Sequence, residues 1–136
     1  MQRIAPFGMS SEPDARMPVT AVINLDRLNA LRQLDPNGNT GFLKRLVNIF
    51  LASTPEFVKN IETAIQAGDR AELVRGAHSL RSSAANVGAE KLSEICRLLE
   101  ESGDHLQSDN IVNLLLRLQN EFRSVTNALQ QLQGDL

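Results

Sequence analysis

The sequence predicts an all-α fold, an antiparallel up-down four-helix bundle with a short extra helix at its N-terminal end. Three observations predict it. Beyond residue 20 apolar residues recur at steps of three and four, the spacing that gathers side chains on one face of a helix. Strands have no competing signal, because the chain holds no Tyr or Trp, no β-branched run and no alternation of apolar with polar residues. The breaks between periodic segments are short, which favours helices that turn back on their predecessors.

Residues 1–20 carry Pro6, Pro13 and Pro18 with Gly8, Ser10 and Ser11, and hold no periodicity. They read as a flexible tail, leaving residues 21–136 as the domain. From Asn24 to Leu34, Leu25, Leu28 and Leu31 predict a short first helix, stopped by the turn residues Asp35-Pro36-Asn37-Gly38. Thr40 is placed to cap the next helix, whose stripe is Phe42, Leu43, Leu46, Val47 and Phe50. Pro55 has no N–H and its ring crowds the preceding turn, so a kink or a restart is expected there. The stripe resumes at Phe57, Val58, Ile61 and Ile65, and Gly68 closes it.

Asp69, with Glu72 three residues on, resembles a capping box and starts a central helix that Gly88 ends. Leu73, Ala77, Leu80 and Ala84 form its core face. After the tight turn at Gly88, Leu92, Ile95, Cys96 and Leu99 predict an antiparallel partner that ends near Ser102-Gly103. Ser108 and Asp109 begin the longest element, in which Ile111, Leu115, Leu118, Phe122, Val125, Leu129 and Leu132 alternate steps of four and three. Among several amphipathic helices this seam reads as one long bundle member, with a coiled-coil dimer seam as the alternative.

At 136 residues the chain is one domain's worth and can bury a core without disulfides or metals. A formal net charge of -2, with 22 % charged and 42 % hydrophobic residues, points away from disorder and nucleic-acid binding and toward a protein or small-molecule partner. Cys96 is the sole cysteine, so no internal disulfide forms, and no apolar run is long enough to insert into a membrane. The expectation is a cytoplasmic monomer. Two histidines and one cysteine without ligand spacing offer no zinc site, and the nucleotide-binding glycine loops and the GxSxG motif are absent.

At about 100° per residue, the centre of the Leu73, Ala77, Leu80, Ala84 stripe lies roughly 130° from His78, so that imidazole faces outward. Arg75 and Arg81 lie three residues before and after it, and Ser82 one turn on. The remaining neighbours, Ala71, Ser79 and Ala85, are small. Histidine's ordinary pKa of about 6.5 leaves a ring-nitrogen lone pair free to attack phosphorus near neutral pH. Arginine then offers charge-assisted hydrogen bonds to the phosphate, with Arg81 the first choice and Arg75 an assistant. Cys96, at core spacing, reads as inert, His105 as a solvated loop residue, and Glu100, Glu101 and Asp104 as a solvated helix end.

The run AHSLRSSAANVGAEKLSEICRLLE, Ala77 to Glu100, resembles the signature of histidine-containing phosphotransfer (HPt) domains, and FLASTPEFVKNIETAIQAGD upstream is similar to the family's approach to that motif. The likeness extends from about Leu25 to Leu132. It implies that His78 is the phosphorylated histidine, that Arg81 stands where the family usually has lysine, and that Gly88 is the glycine ending the motif helix. Ser82 departs from the usual glycine, a position that gives a partner room to approach; Ser79 and Ala85 keep the surroundings small. The resemblance implies a carrier rather than an enzyme. Its partners would be response-regulator receiver domains and a hybrid sensor histidine kinase, and it would hold no cofactor itself, the receiver bringing Mg²⁺. Two alternatives stay open: a helical-bundle adaptor or dimerisation module that transfers nothing, and one piece of a larger sensor kinase.

Overall fold

The computed structural model describes residues 18–33, 41–106 and 108–135. Residues 1–17, the Asp35–Gly38 turn and the Thr40 cap lie outside the described residues. Among the described residues the α-helices follow in the order α1 (Val19–Val22), α2 (Leu25–Arg32), α3 (Phe42–Ala67), α4 (Arg70–Asn86), α5 (Glu90–Glu101) and α6 (Asp109–Asp135). A single 3-10 turn, Gly103–His105, links the last two, and among the described residues there is no strand.

The last four helices form the bundle. α3 packs against α4 and α6, and α5 against the same two, so the bundle closes in an up-down order. Side-chain hydrogen bonds give the α3/α6 register: Gln119 donates to Glu62 and Gln133 to Asn48, pairs whose residue numbers rise on one helix as they fall on the other. Phe50 and Phe122 meet across the same seam with ring centroids 6.4 Å apart. Leu73, Ala77, Leu80 and Ala84 are all fully buried, as their spacing predicts. Burial of each leucine there contributes about 1.5–3 kcal/mol. Along α6, Ile111, Leu118, Val125 and Leu129 are buried, with Leu115, Phe122 and Leu132 packed at the margin. The heptad-type seam is thereby consumed inside the bundle.

The expected break at Pro55 does not occur. α3 runs unbroken through it for 26 residues. Proline removes one backbone donor, but Val47, Phe50 and Thr54 before it and Val58, Ile61 and Ala64 after it are all buried on one face, and that burial outweighs one lost hydrogen bond. Thr54 takes part by donating its hydroxyl to the Phe50 carbonyl at 2.6 Å. Gly41, with φ +72°, occupies the cap position at the start of α3 and offers no side-chain bond.

The N-terminal region is more elaborate than one short helix. α1 forms a single turn that packs on α6, and α2 packs on α3. α2 spans Leu25–Arg32, shorter than the Asn24–Leu34 expected, with the Asn24 side chain accepting from the Arg27 N–H at 3.2 Å as its cap. Asn24 also donates its own N–H to the Gly88 carbonyl at 2.8 Å and its amide to Glu90 at 2.9 Å. The N-terminal segment is thus fastened to the α4–α5 turn.

Candidate functional site

The central helix α4 is built by its ends. At its start Asp69 Oδ1 accepts the Glu72 N–H at 3.1 Å, while the Asp69 N–H itself donates to the Ala64 carbonyl of α3 at 2.9 Å. One half of the capping box is therefore present, the other being replaced by the closure of α3. At its far end Gly88 adopts φ +78°; its N–H donates to Ala85 and the Ala89 N–H to Ala84, the two bonds of a Schellman closure. Between them Gly76 is buried, and a Cβ there would lie 3.0 Å from Ile61 Cγ1, so the glycine lets α4 approach α3 closely.

His78 stands on the outer face of α4 with its side chain 69 % exposed, as the angular argument predicts. Its Nδ1 lies 3.5 Å from Glu100 Oε1, on α5. The same carboxylate meets Arg81 Nη1 at 3.4 Å on both oxygens, and it is only 18 % exposed. Ser93 of α5 donates to the Arg81 carbonyl at 3.2 Å, tying the two helices together beside the site. His78, Arg81 and Glu100 thus form one cluster across the α4–α5 seam.

Arg75, by contrast, pairs with Glu72 one turn back on its own helix. Ser82 and Ala85 are exposed and Ser79 is half-buried, so the surface beyond His78 is low and open. Gly88 lies at the end of the helix, ten residues from His78, as the α4–α5 corner.

Glu100 is the residue that reasoning from sequence misplaced, as part of a solvated helix end. The three acids there share no partner: Glu100 goes to His78 and Arg81, Glu101 to Arg97, and Asp104 to Arg70 at 2.6 Å. Two signals pointed to Glu100. Leu92, Cys96 and Glu100 are spaced by four and so share the α4-facing side, and an antiparallel turn at Gly88 brings residues near 98–101 level with residue 78.

Elsewhere the chemistry is quiet. Cys96 is fully buried, and burial pushes its thiol up to about 12, so it holds its proton and is unreactive. His105 is exposed in the 3-10 turn, its carbonyl accepting from the Ser108 hydroxyl at 2.8 Å. Among the described residues no group of three or more His, Cys, Asp and Glu side chains is placed to hold a metal ion. No described helix is long and apolar enough to cross a membrane.

Comparison with known proteins gives a consistent result. A family model described as the Hpt domain matches residues 45–135. Histidine-containing phosphotransfer protein 5 of Arabidopsis thaliana is 21% identical over 110 residues, spanning 79% of this chain and 70% of that protein. Phosphorelay intermediate protein YPD1 of Candida albicans is 30% identical over 70 residues, 52% of this chain and 38% of that one. Among solved structures, histidine-containing phosphotransfer protein B (HptB) from Pseudomonas aeruginosa PAO1 superposes with a TM-score of 0.74 at 24% identity, covering 93% of this chain and 99% of that chain. A histidine-containing phosphotransfer protein from rice superposes with a TM-score of 0.73 at 20% identity, covering 85% and 81%.

Proposed function

This chain belongs to the Hpt-domain family, whose members serve phosphorelays as phosphotransfer carriers, and from that premise we propose that His78 is its phosphoacceptor. The observation that carries the proposal is the cluster on the matched segment: an exposed imidazole on α4 whose Nδ1 is turned to Glu100, leaving Nε2 as the nitrogen open to a partner.

The step follows from that geometry. A carboxylate beside Nδ1 favours the tautomer with the proton on Nδ1, which leaves the lone pair on Nε2. Nε2 attacks the phosphorus of a receiver's phospho-aspartate; an N–P bond forms, the acyl P–O bond breaks, and its electron pair leaves on the aspartate carboxylate. The Nδ1 proton stays on the imidazolium, facing Glu100. Attack by a second receiver's aspartate on the same phosphorus reverses these changes and returns the neutral ring. Arg81, three residues from His78 and held to Glu100 at 3.4 Å, is within a side-chain rotation of the incoming phosphate oxygens and neutralises their charge. Arg75 adds positive charge from the adjacent turn once it leaves Glu72. Ser82, Ser79 and Ala85 leave room for the receiver, which supplies Mg²⁺ and the catalytic pocket. This chain supplies the nucleophile and no cofactor, and works as a cytoplasmic monomer.

The test is transfer itself. Wild type and His78→Gln are incubated with a panel of phosphorylated receivers, and phosphate is mapped by mass spectrometry before and after acid treatment. Acid-labile phosphate on His78 of wild type, and none on the variant, is the expected result. Phosphate mapping to any other residue, or no labelling of native protein by any receiver or kinase in the panel, refutes the proposal.

A further inference from the structure

Beside the His78 face runs an open groove of about 380 Å³. It is lined by Arg81 and Ala85 of α4, by Glu90, Glu94 and Arg97 of α5, and by Arg27 of α2. Because Arg81 and Ala85 lie three and seven residues after His78, the groove begins one helical turn from the imidazole and on the same face. Any macromolecule that places a phosphorus atom at Nε2 also covers it.

The charges within the groove are not equally committed. Arg97 is engaged by Glu94 and Glu101, with its guanidinium held further toward the charged form by those same carboxylates. Glu90 accepts from Asn24, and Arg81 shares Glu100 with His78. Arg27 is exposed and enters no ion pair among the described residues. The lining sets three arginines, Arg27, Arg81 and Arg97, against two glutamates, Glu90 and Glu94, so its balance is positive, and the arginine in no ion pair comes from α2. Its position is built rather than incidental: Asn24 fastens the start of α2 to Gly88 and Glu90 and caps the Arg27 N–H.

Resting on the phosphoacceptor reading of His78, we infer that this groove is a docking subsite for an acidic side chain on the receiver that exchanges phosphate with His78, with Arg27 as its receiving charge. The chain's net charge of -2 offers an acidic partner no general attraction, so the selectivity is local to the groove. The N-terminal helix, remote in sequence from the motif, thereby takes part in choosing the partner.

Docking can be read without transfer. In a His78→Gln background, which cannot accept phosphate, binding of a panel of receiver domains is measured by titration calorimetry. Arg27→Glu is expected to weaken the tightest receiver about tenfold at about 50 mM salt, with the gap falling to about twofold near 500 mM as the charges are screened. Ala85→Trp, which fills the groove, weakens binding at both salt concentrations. Lys59→Glu makes the same change in net charge on an exposed part of α3 and leaves affinity within about twofold. The inference is overturned if Arg27→Glu costs no more than Lys59→Glu, if Ala85→Trp leaves affinity unchanged, or if no receiver binds. A failure of the phosphoacceptor reading is seen separately, as receivers that bind the protein with Arg27 intact but never label His78.

Discussion

Replacing Gly88 with alanine tests the junction on which both the site and the groove depend. Two costs add. At φ +78° a Cβ introduces left-handed strain of about 1–2 kcal/mol. That Cβ would also lie 2.8 Å from the Asn24 carbonyl oxygen and 3.3 Å from its nitrogen, both backbone atoms that no side-chain rotation moves. The start of α2 must shift, losing the 2.8 Å bond from the Asn24 N–H to the Gly88 carbonyl, which is worth about 0.5–1.5 kcal/mol. The sum is about 1.5–3.5 kcal/mol, a large fraction of the 5–15 kcal/mol typical of a domain. Gly41→Ala is the matched control: its φ is +72°, but the nearest atom to the new Cβ is the end of the Arg45 side chain at 3.8 Å. That variant bears the strain alone, about 1–2 kcal/mol. Urea unfolding followed by far-ultraviolet circular dichroism gives both values. Equal costs for the two substitutions would refute the claim that Gly88 is the seat of α2, and a loss larger for Gly88→Ala by about 0.5–1.5 kcal/mol supports it.

Two further outcomes follow from polar groups in the helix interfaces. Burial raises the Glu121 carboxyl above its ordinary value of 4.5, with Lys91 opposing the shift. A raised folded-state value means that the protonated form favours folding at low pH and that this contribution is lost as pH rises through the folded value. Glu121→Gln is therefore expected to be more stable than wild type at pH 7, by a few tenths of a kcal/mol after solvent screening, with the gain disappearing below about pH 4; a gain that persists in acid contradicts this. The Thr126 hydroxyl oxygen is buried and has no hydrogen-bond partner among the described residues. Thr126→Val replaces it with a methyl of similar size and is expected to be neutral or to stabilise by up to about 1 kcal/mol in the same unfolding assay. Destabilisation beyond about 0.5 kcal/mol would show that the hydroxyl has a partner.

The bundle was readable in the sequence because its signals are local. Leu73, Ala77, Leu80 and Ala84 declare their face by spacing alone, and Gly68 and Gly88 mark ends that require positive φ. Pro55 misled because propensity is a local property and the burial that overrides it, from Val47 to Ala64, is tertiary. The same distinction divides the site. His78 was visible as an outward residue on a patterned helix. Glu100 was not, since its role depends on which residue of α5 comes level with the imidazole, a matter of register between two helices. Arg27 was less visible still: nothing near it in sequence shows that Asn24 bonds to a glycine 64 residues away. Arg75 illustrates the limit of spacing, for it lies within one turn of His78 and yet pairs with Glu72 on its other side.

The central claim is that Nε2 of His78 carries the phosphoryl group while Nδ1 keeps its proton toward Glu100. Long-range proton–nitrogen NMR of the imidazoles, recorded on the protein after phosphorylation by its receiver, reads this directly. The account predicts one phosphorylated ring, that of His78, bonded to phosphorus through Nε2 and protonated at Nδ1. A phosphorus bonded through Nδ1, or a His78 ring unchanged while phosphate is incorporated elsewhere, would contradict it.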